Sequence, residues 1–202
     1  FTEEKLSNFD AVIATGSNNT ARYFEYYFKD KPSIIRKSRN SVAIITDKVT
    51  DEDFKNLSND VFQYFGLGCR SVSKLYVPKD FNFDAFFNGM YSKKDIINNA
   101  KYANNYDYNK AVYLMSEFDL LENGFLMIKE DKSYSSPIAT VFYEYYDNEI
   151  DLKIKLQQDK KKIQCIVAKD FIENEVAFGQ TQHPQLTDYA DGVNTLEFLA
   201  NI

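Results

Sequence analysis

The chain has 202 residues, of which 44% are hydrophobic and 27% charged, a balance typical of a folded globular protein. Aromatic residues make up 16%, more than a disordered chain carries. The net charge of −6 argues against general nucleic-acid binding, which depends on basic patches. No run approaches the roughly 20 apolar residues that a membrane-spanning helix needs.

The N-terminus has neither the basic start nor the apolar stretch of a signal peptide. Cys69 and Cys165 are too few for a disulfide framework, so we expect a cytoplasmic protein. The chain begins at Phe1 without methionine and soon reaches an apolar run, residues 11–14, of the kind found in strands buried on both faces. Since the expected neighbours of such a strand are absent, we predict a cut-down chain or a proteolytic product.

Predicted helices alternate with predicted strands along most of the chain. The predicted strands cover residues 10–14, 33–36, 41–45, 72–77, 125–128, 139–145 and 163–168. The predicted helices cover residues 18–28, 51–65, 84–90 and 93–117, and a last one starts near residue 195. Residues 149–156 are ambiguous, but their strict alternation of apolar and polar residues favours a strand. This order of elements predicts an α/β fold with a substantially parallel sheet.

The first candidate site is the turn between the first strand and the first helix. Gly16 would let a ligand approach the backbone, and Ser17 or Thr20 could donate a hydroxyl to a phosphate at the helix N-terminus. The sequence lacks GxGxxG and the P-loop pattern. An ordinary capped helix after a strand explains the same residues.

The second candidate is Cys69, in a glycine-flanked loop between a helix and a strand. Gly66 and Gly68 remove side chains around the sulfur, and Arg70 is a cation that favours the nucleophilic thiolate. The Cys69 backbone N–H could also help to hold an oxyanion. A buried, inert thiol is the alternative.

Two other residues are assigned structural places. Cys165 has no flanking glycine and is predicted to pack in the core. His183, the only histidine, is predicted to lie in a surface loop beside Pro184. One histidine and scattered carboxylates have no metal-ligand spacing.

Together these segments resemble the aldehyde dehydrogenase superfamily, and within it the acyl-CoA reductases of the bioluminescence fatty-acid reductase type. Four segments carry the resemblance: residues 14–17 before a helix, 39–45 as a strand, 66–73 around the cysteine, and the tail 182–192. The resemblance spans most of the chain, and the cysteine block and the tail are its most specific parts.

The resemblance implies a three-layer α/β/α catalytic domain over residues 32–202. Residues 1–31 would be the last strand–helix unit of a cofactor-binding domain whose remainder is missing. Cys69 would attack acyl-CoA to form a thioester, which NADPH would reduce to an aldehyde. Gly16 and Ser17 would lie near the cofactor pyrophosphate. The resemblance also leaves room for a homo-oligomer.

One departure from the superfamily bears on the reaction. Oxidising aldehyde dehydrogenases carry a glutamate roughly 35 residues before the cysteine, and it activates water as a general base. Here that position falls on Ile34 or Ile35, which favours reduction over hydrolysis of the thioester. The alternatives are an acylating aldehyde dehydrogenase for short chains and a non-catalytic subunit of the same fold.

Overall fold

The computed structural model describes residue 3 and residues 7–202. Residues 1, 2 and 4–6 of the predicted first domain lie outside the described residues. The helices are α1 (Asn18–Tyr27), α2 (Asp51–Phe62), α3 (Asp84–Met90), α4 (Ala100–Met115), α5 (Glu149–Gln158) and α6 (Thr195–Ala200). The strands are β1 (Val12–Thr15), β2 (Ser33–Arg36), β3 (Asn40–Ile44), β4 (Val72–Pro78), β5 (Leu120–Glu122), β6 (Met127–Glu130), β7 (Thr140–Tyr146) and β8 (Ile163–Val167).

The chain divides into two compact units, Phe1–Ser38 with Gln185–Ile202, and Arg39–Pro184. In the first unit, β1 and β2 form a two-stranded parallel sheet in which Val12 pairs with Ser33. The helix α1 connects the two strands, so β1, α1 and β2 form a βαβ motif.

The second unit is built on a six-stranded sheet in the order β5-β6-β7-β4-β3-β8. All neighbouring strands are parallel except the pair β5 and β6. Both faces of the sheet are covered, as a largely parallel sheet requires. Neighbouring residues of β3 belong to the two different cores. Ala43 packs with Leu57 of α2, whereas Val42 packs with Leu152 and Leu156 of α5. The predicted three-layer α/β/α architecture is therefore confirmed.

The prediction of a strand over residues 149–156 was wrong, because this segment is the helix α5. The Asn148 side chain caps it by accepting a hydrogen bond from the Asp151 amide at 2.8 Å. Leu152 and Leu156, four residues apart, are buried on one face. Ile150 and Ile154 are also four residues apart but are exposed. The two pairs together place an apolar residue at every second position, which is the pattern of a strand.

The other differences concern element boundaries. The predicted helix over 51–65 ends at Phe62, and the predicted helix over 93–117 is a 3-10 segment, Tyr91–Asn98, followed by α4. The Asn99 side chain separates the two by capping α4, accepting hydrogen bonds from the amides of Lys101 and Tyr102. The short edge strand β5 was not predicted. Its three residues are too few for a readable period.

Candidate active site

Cys69 lies in a short turn between α2 and β4, as the sequence predicts. The start of α2 is fixed by a capping box, in which the Thr50 hydroxyl accepts from the Asp53 amide and the Asp53 carboxylate accepts from the Thr50 amide. Cys69 itself is exposed. The residue is therefore open to reagents in solution.

The residues that follow α2 leave helical geometry before the turn. Tyr64, Phe65 and Gly66 have φ angles of 55°, 58° and 74°, all in the left-handed region. For a residue with a side chain this backbone costs roughly 1–2 kcal/mol. Gly66 is the position where the freedom of glycine is used, and a strained pair of aromatic residues comes directly before it.

Gly68 serves the packing of the turn. A Cβ atom on Gly68 would lie 3.2 Å from Ser71 Oγ and 3.7 Å from Gln182 Nε2. The first of these separations is tighter than an ordinary van der Waals contact. Packing therefore explains glycine at position 68. The predicted reason, access of a substrate carbonyl to the Cys69 sulfur, is a separate one.

A buried serine of β3 holds the main chain of Cys69. Ser41, which is 0% exposed, donates its hydroxyl to the Cys69 carbonyl oxygen at 2.9 Å. The same hydroxyl oxygen accepts the Cys165 amide at 3.1 Å. One side chain thus ties the Cys69 turn to β3 and β8. Nothing in the sequence marks Ser41 as part of a site.

Replacing Ser41 by alanine is expected to lower the free energy of unfolding by about 1–3 kcal/mol, because a buried amide and a carbonyl lose their partner. The loosened turn should also raise the rate at which iodoacetamide alkylates Cys69, followed by mass spectrometry. Ser73 on β4 offers a matched control, since its hydroxyl donates to the Tyr134 carbonyl at 2.6 Å. Ser73→Ala should lose stability without a change in alkylation. Equal alkylation of all three proteins would contradict an anchoring role for Ser41.

Cys165 differs from Cys69 in its exposure to solvent. It is 5% exposed in β8. Burial raises the pKa of its thiol, against the opposing effects of the Arg70 charge and a hydrogen bond with Ser41. The prediction that Cys165 packs in the core is confirmed.

A buried carboxylate of α2 clamps a distant segment of the chain beside the turn. Asp60, only 1% exposed, accepts hydrogen bonds from the Gly179 amide at 2.6 Å, the Thr181 amide at 3.0 Å and the Thr181 hydroxyl at 2.8 Å. Burial raises the pKa of Asp60, while these three hydrogen bonds and the charge of His183 oppose the rise. We call residues 179–183 the clamped segment.

The clamped segment is also bonded to the turn itself. Arg70, predicted to favour the Cys69 thiolate, donates a hydrogen bond from Nε to the Thr181 carbonyl oxygen. Thr181, fully buried, is therefore held on one side by Asp60 and on the other by the neighbour of Cys69. His183 is exposed, as predicted, and its amide donates to the Gln180 carbonyl oxygen at 3.0 Å.

Gln182 stands out within the clamped segment. Its Nε2 atom is buried and has no hydrogen-bond partner among the described residues. The atom lies 3.7 Å from the place of a Cβ on Gly68, the residue before Cys69. Leaving a buried donor unpaired costs about 1–3 kcal/mol. The turn therefore has beside it an unsatisfied N–H group that sequence reasoning missed.

Several of the aromatic residues of the second unit pack against one another in its core. Phe81 and Phe83 pack edge to face with centroids 4.9 Å apart, and Phe54 and Phe86 lie at 6.4 Å. A cavity under Phe65 and Gly66 has a volume of about 20 Å³, which is room for about one water molecule. Core packing, the simpler explanation of the aromatic content, accounts for these residues.

The other candidate site, Gly16 and Ser17, lies in the first unit. Ser17 caps α1, since its hydroxyl oxygen accepts the Thr20 amide at 3.2 Å and lies 2.9 Å from Thr20 Oγ1. The Gly16 amide donates to the Arg36 carbonyl oxygen at 3.1 Å. A Cβ on Gly16 would lie 2.9 Å from Thr20 Cβ, so the turn needs glycine for its own packing. The amides of Gly16 and Thr20 are thus bonded within the chain, and a pyrophosphate near Gly16 and Ser17 stays a prediction from the resemblance.

The described part of the chain holds neither a cluster of metal ligands nor a membrane-spanning helix. No group of three or more His, Cys, Asp or Glu residues there could hold a metal ion. Among the described helices, none has the length and apolar character needed to cross a membrane.

Comparisons with known proteins show the fold. No protein-family model matches the sequence, and no curated protein matches it. Aldehyde dehydrogenase 21 from Physcomitrella patens, solved with the reaction product succinate, aligns with a TM-score of 0.61 and 14% identity over 91% of this chain and 48% of that one. Staphylococcus aureus AldH in its substrate-bound state aligns with a TM-score of 0.59 and 12% identity over 86% and 44%.

An indole-3-acetaldehyde dehydrogenase solved with NAD+ gives a TM-score of 0.57 and 13% identity, over 85% of this chain and 42% of that one. The chain thus has an aldehyde-dehydrogenase-like fold and spans less than half the length of these three structures.

Proposed function

We propose that the chain is the thioester-forming part of a nicotinamide-dependent oxidoreductase that reduces acyl-CoA to an aldehyde. The observation that carries the proposal is the contrast between its two cysteines in an aldehyde-dehydrogenase-like fold. Cys69 is exposed in a glycine-flanked turn, whereas Cys165 is buried. A nucleophile must meet its substrate, so Cys69 is the residue suited to the reaction.

The first step would need only this chain and acyl-CoA. The Cys69 thiolate adds to the thioester carbonyl carbon, and the carbonyl π electrons move to oxygen. The tetrahedral species collapses, its bond to the CoA sulfur breaks, and CoA thiolate leaves. One thioester replaces another, so no electrons are transferred in this step.

The fate of the acyl group depends on what surrounds it. A nicotinamide cofactor, NADPH by the resemblance, would supply hydride to the thioester carbonyl. By the resemblance, the sequence position of the water-activating glutamate of the superfamily's oxidising members falls on Ile34 or Ile35. An apolar pair cannot act as a general base, so this sequence supports reduction over hydrolysis.

The proposal is tested by the mass of the protein after incubation with hexadecanoyl-CoA. We expect a stoichiometric gain of one acyl group with release of CoA, lost in Cys69→Ser and kept in the matched variant Cys165→Ser. An adduct that hydroxylamine removes identifies a thioester. A folded wild-type chain that gains no acyl group would overturn the proposal and favour a non-catalytic subunit.

Two further measurements define the enzyme more closely. Because the chain spans less than half of its structural neighbours, we expect little or no NADPH oxidation by it alone. Full turnover by the chain alone would contradict this expectation. A series of acyl-CoAs of increasing length separates a long-chain reductase from a short-chain acylating aldehyde dehydrogenase.

A further inference from the structure

The turn before Cys69 holds three large apolar side chains at the surface. Tyr64 is 64% exposed, Phe65 43% and Leu67 68%. Phe62, at the end of α2, is only 6% exposed, so the chain passes from the core to solvent without a change in the character of its side chains. Apolar surface gathered at one place marks a site of contact with another molecule or segment.

The backbone of the same turn makes these residue types costly. Tyr64 and Phe65 lie in the left-handed region, with φ angles of 55° and 58°. Asparagine and glycine enter this region far more readily than an aromatic residue does. Phe65 has a return for that cost, because its ring lies against the ring of Tyr102 at a centroid distance of 6.4 Å. Tyr64 stays mostly in solvent, so packing within the chain gives little return for its strained backbone.

Hydrogen bonds hold the turn in this shape. The Leu67 amide donates to the Tyr64 carbonyl oxygen at 3.1 Å. The Ser41 hydroxyl donates to the Cys69 carbonyl oxygen at 2.9 Å. The exposed side chains are thus carried by a backbone that is fixed next to the cysteine. A ligand that covers them has no turn to order first, which lowers the cost of binding.

Leu67 is close enough to Cys69 to contact a group bonded to its sulfur. Only Gly68 separates the two residues, and their Cα atoms lie within about 7 Å of each other even in a fully extended chain. Gly68 has no side chain to stand between them. An acyl group that forms a thioester with the exposed Cys69 therefore starts beside Leu67, and a chain of many methylene groups extends past it to Tyr64.

We infer that Tyr64 and Leu67 form a binding surface for the acyl chain, and that the site takes fatty acyl groups and not acetyl groups. The inference rests on the proposed function and names its substrate class. Each methylene group that leaves water against these side chains strengthens binding several-fold. The free chain carries the strained backbone and the exposed ring, and the gain comes when an acyl chain covers them.

The test measures how the effect of the double variant Tyr64→Asn with Leu67→Asn depends on acyl length. We expect hexadecanoyl-CoA to acylate it about tenfold more slowly than the wild type, because apolar contact with the acyl chain is lost. Acetyl-CoA, whose acyl group is too short to cover these side chains, should acylate both proteins at one rate. The free energy of unfolding of Tyr64→Asn alone should hold or rise, because asparagine tolerates the left-handed backbone better than tyrosine does.

Leu114→Asn is the matched control. Leu114 is a 56% exposed leucine at the opposite end of α4 from Tyr102, and its replacement should leave both rates unchanged. Equal losses with hexadecanoyl-CoA and acetyl-CoA would overturn the inference, because they indicate a disturbed turn. Wild-type rates in the double variant would also overturn it and leave the proposed function intact. A wild-type chain that gains no acyl group from either substrate would overturn the proposed function and this inference with it.

Discussion

Replacing Glu144 by alanine is expected to destabilise the second unit by about 3–5 kcal/mol, because it leaves a buried ammonium group without its carboxylate. Lys74 of β4 is 0% exposed, and its Nζ donates to Glu144 Oε2 at 2.7 Å. The remaining partners of the ammonium are the Asp131 carbonyl oxygen at 3.0 Å and the rings of Tyr76 and Tyr134. The Asp131 carboxylate acts on the ammonium group through its charge and not through a hydrogen bond.

The stability of Glu144→Ala should also depend on pH in a defined direction. Burial lowers the pKa of Lys74 from its usual 10.5, and the hydrogen bond and charge of Glu144 oppose that fall. Without Glu144 the pKa falls further, so the folded state binds fewer protons than the unfolded state below pH 10.5. The free energy of unfolding must then rise with pH, and the deficit of the variant should shrink between neutral pH and about 10.

Two further variants separate the buried pair from its surface partner. Lys155 also donates to Glu144 but is 34% exposed, so Lys155→Met is expected to lose only about 0–1 kcal/mol. The double variant Lys74→Met with Glu144→Ala removes the buried ammonium group together with its partly buried carboxylate. It should recover most of the stability, since apolar replacements of such a pair are often tolerated. Urea denaturation at several pH values measures all four proteins. A double variant as unstable as Glu144→Ala alone would contradict an uncompensated Lys74 charge.

Local signals in the sequence were enough for most of the secondary structure. Thr50 as a helix cap and the helical spacing of Phe54, Leu57 and Val61 predict α2, and all three apolar residues are buried. The failure at α5 has a physical reason. A helix that buries Leu152 and Leu156 and also exposes Ile150 and Ile154 has the same residue pattern as a strand. Only the sheet that covers one face decides between them.

Cys69 could be singled out from the sequence as a candidate nucleophile because its signal, glycines and a cation around the cysteine, is local. The groups that hold it could not. Asp60 and the clamped segment are 119 and 121 residues apart along the chain at their hydrogen bonds. Ser41 and Gln182 are ordinary polar residues until the fold brings them to the turn. Long-range pairing of common residue types leaves no pattern in a single sequence.

The packing of α3 on α2 leads to the second large effect. Gly89 of α3 lies so close to α2 that a Cβ on it would be 2.6 Å from the Phe54 carbonyl carbon and Cβ, and 2.7 Å from the Phe54 oxygen. Two of these atoms belong to the backbone, which cannot turn away as a side chain could. Gly89→Ala must therefore push the two helices apart, and the core between them, with Phe86 and Met90 at 0% exposure, loses contact.

We expect Gly89→Ala to lower the free energy of unfolding by about 3 kcal/mol, the upper part of the range for overpacked cores. The helix propensity of alanine works in the other direction by about 1 kcal/mol, so a measured loss understates the steric cost. Asn88→Ala, the exposed neighbour on the same helix, isolates that propensity and should be neutral or stabilising. The double variant Phe54→Ala with Gly89→Ala tests whether the added methyl group of Gly89→Ala collides with the Phe54 ring. A double variant more stable than Phe54→Ala alone would show that the collision is with the ring. We expect no such rescue, because the nearest atoms include the main chain of Phe54. The close approach of α2 and α3 at this point is therefore possible only with glycine at position 89.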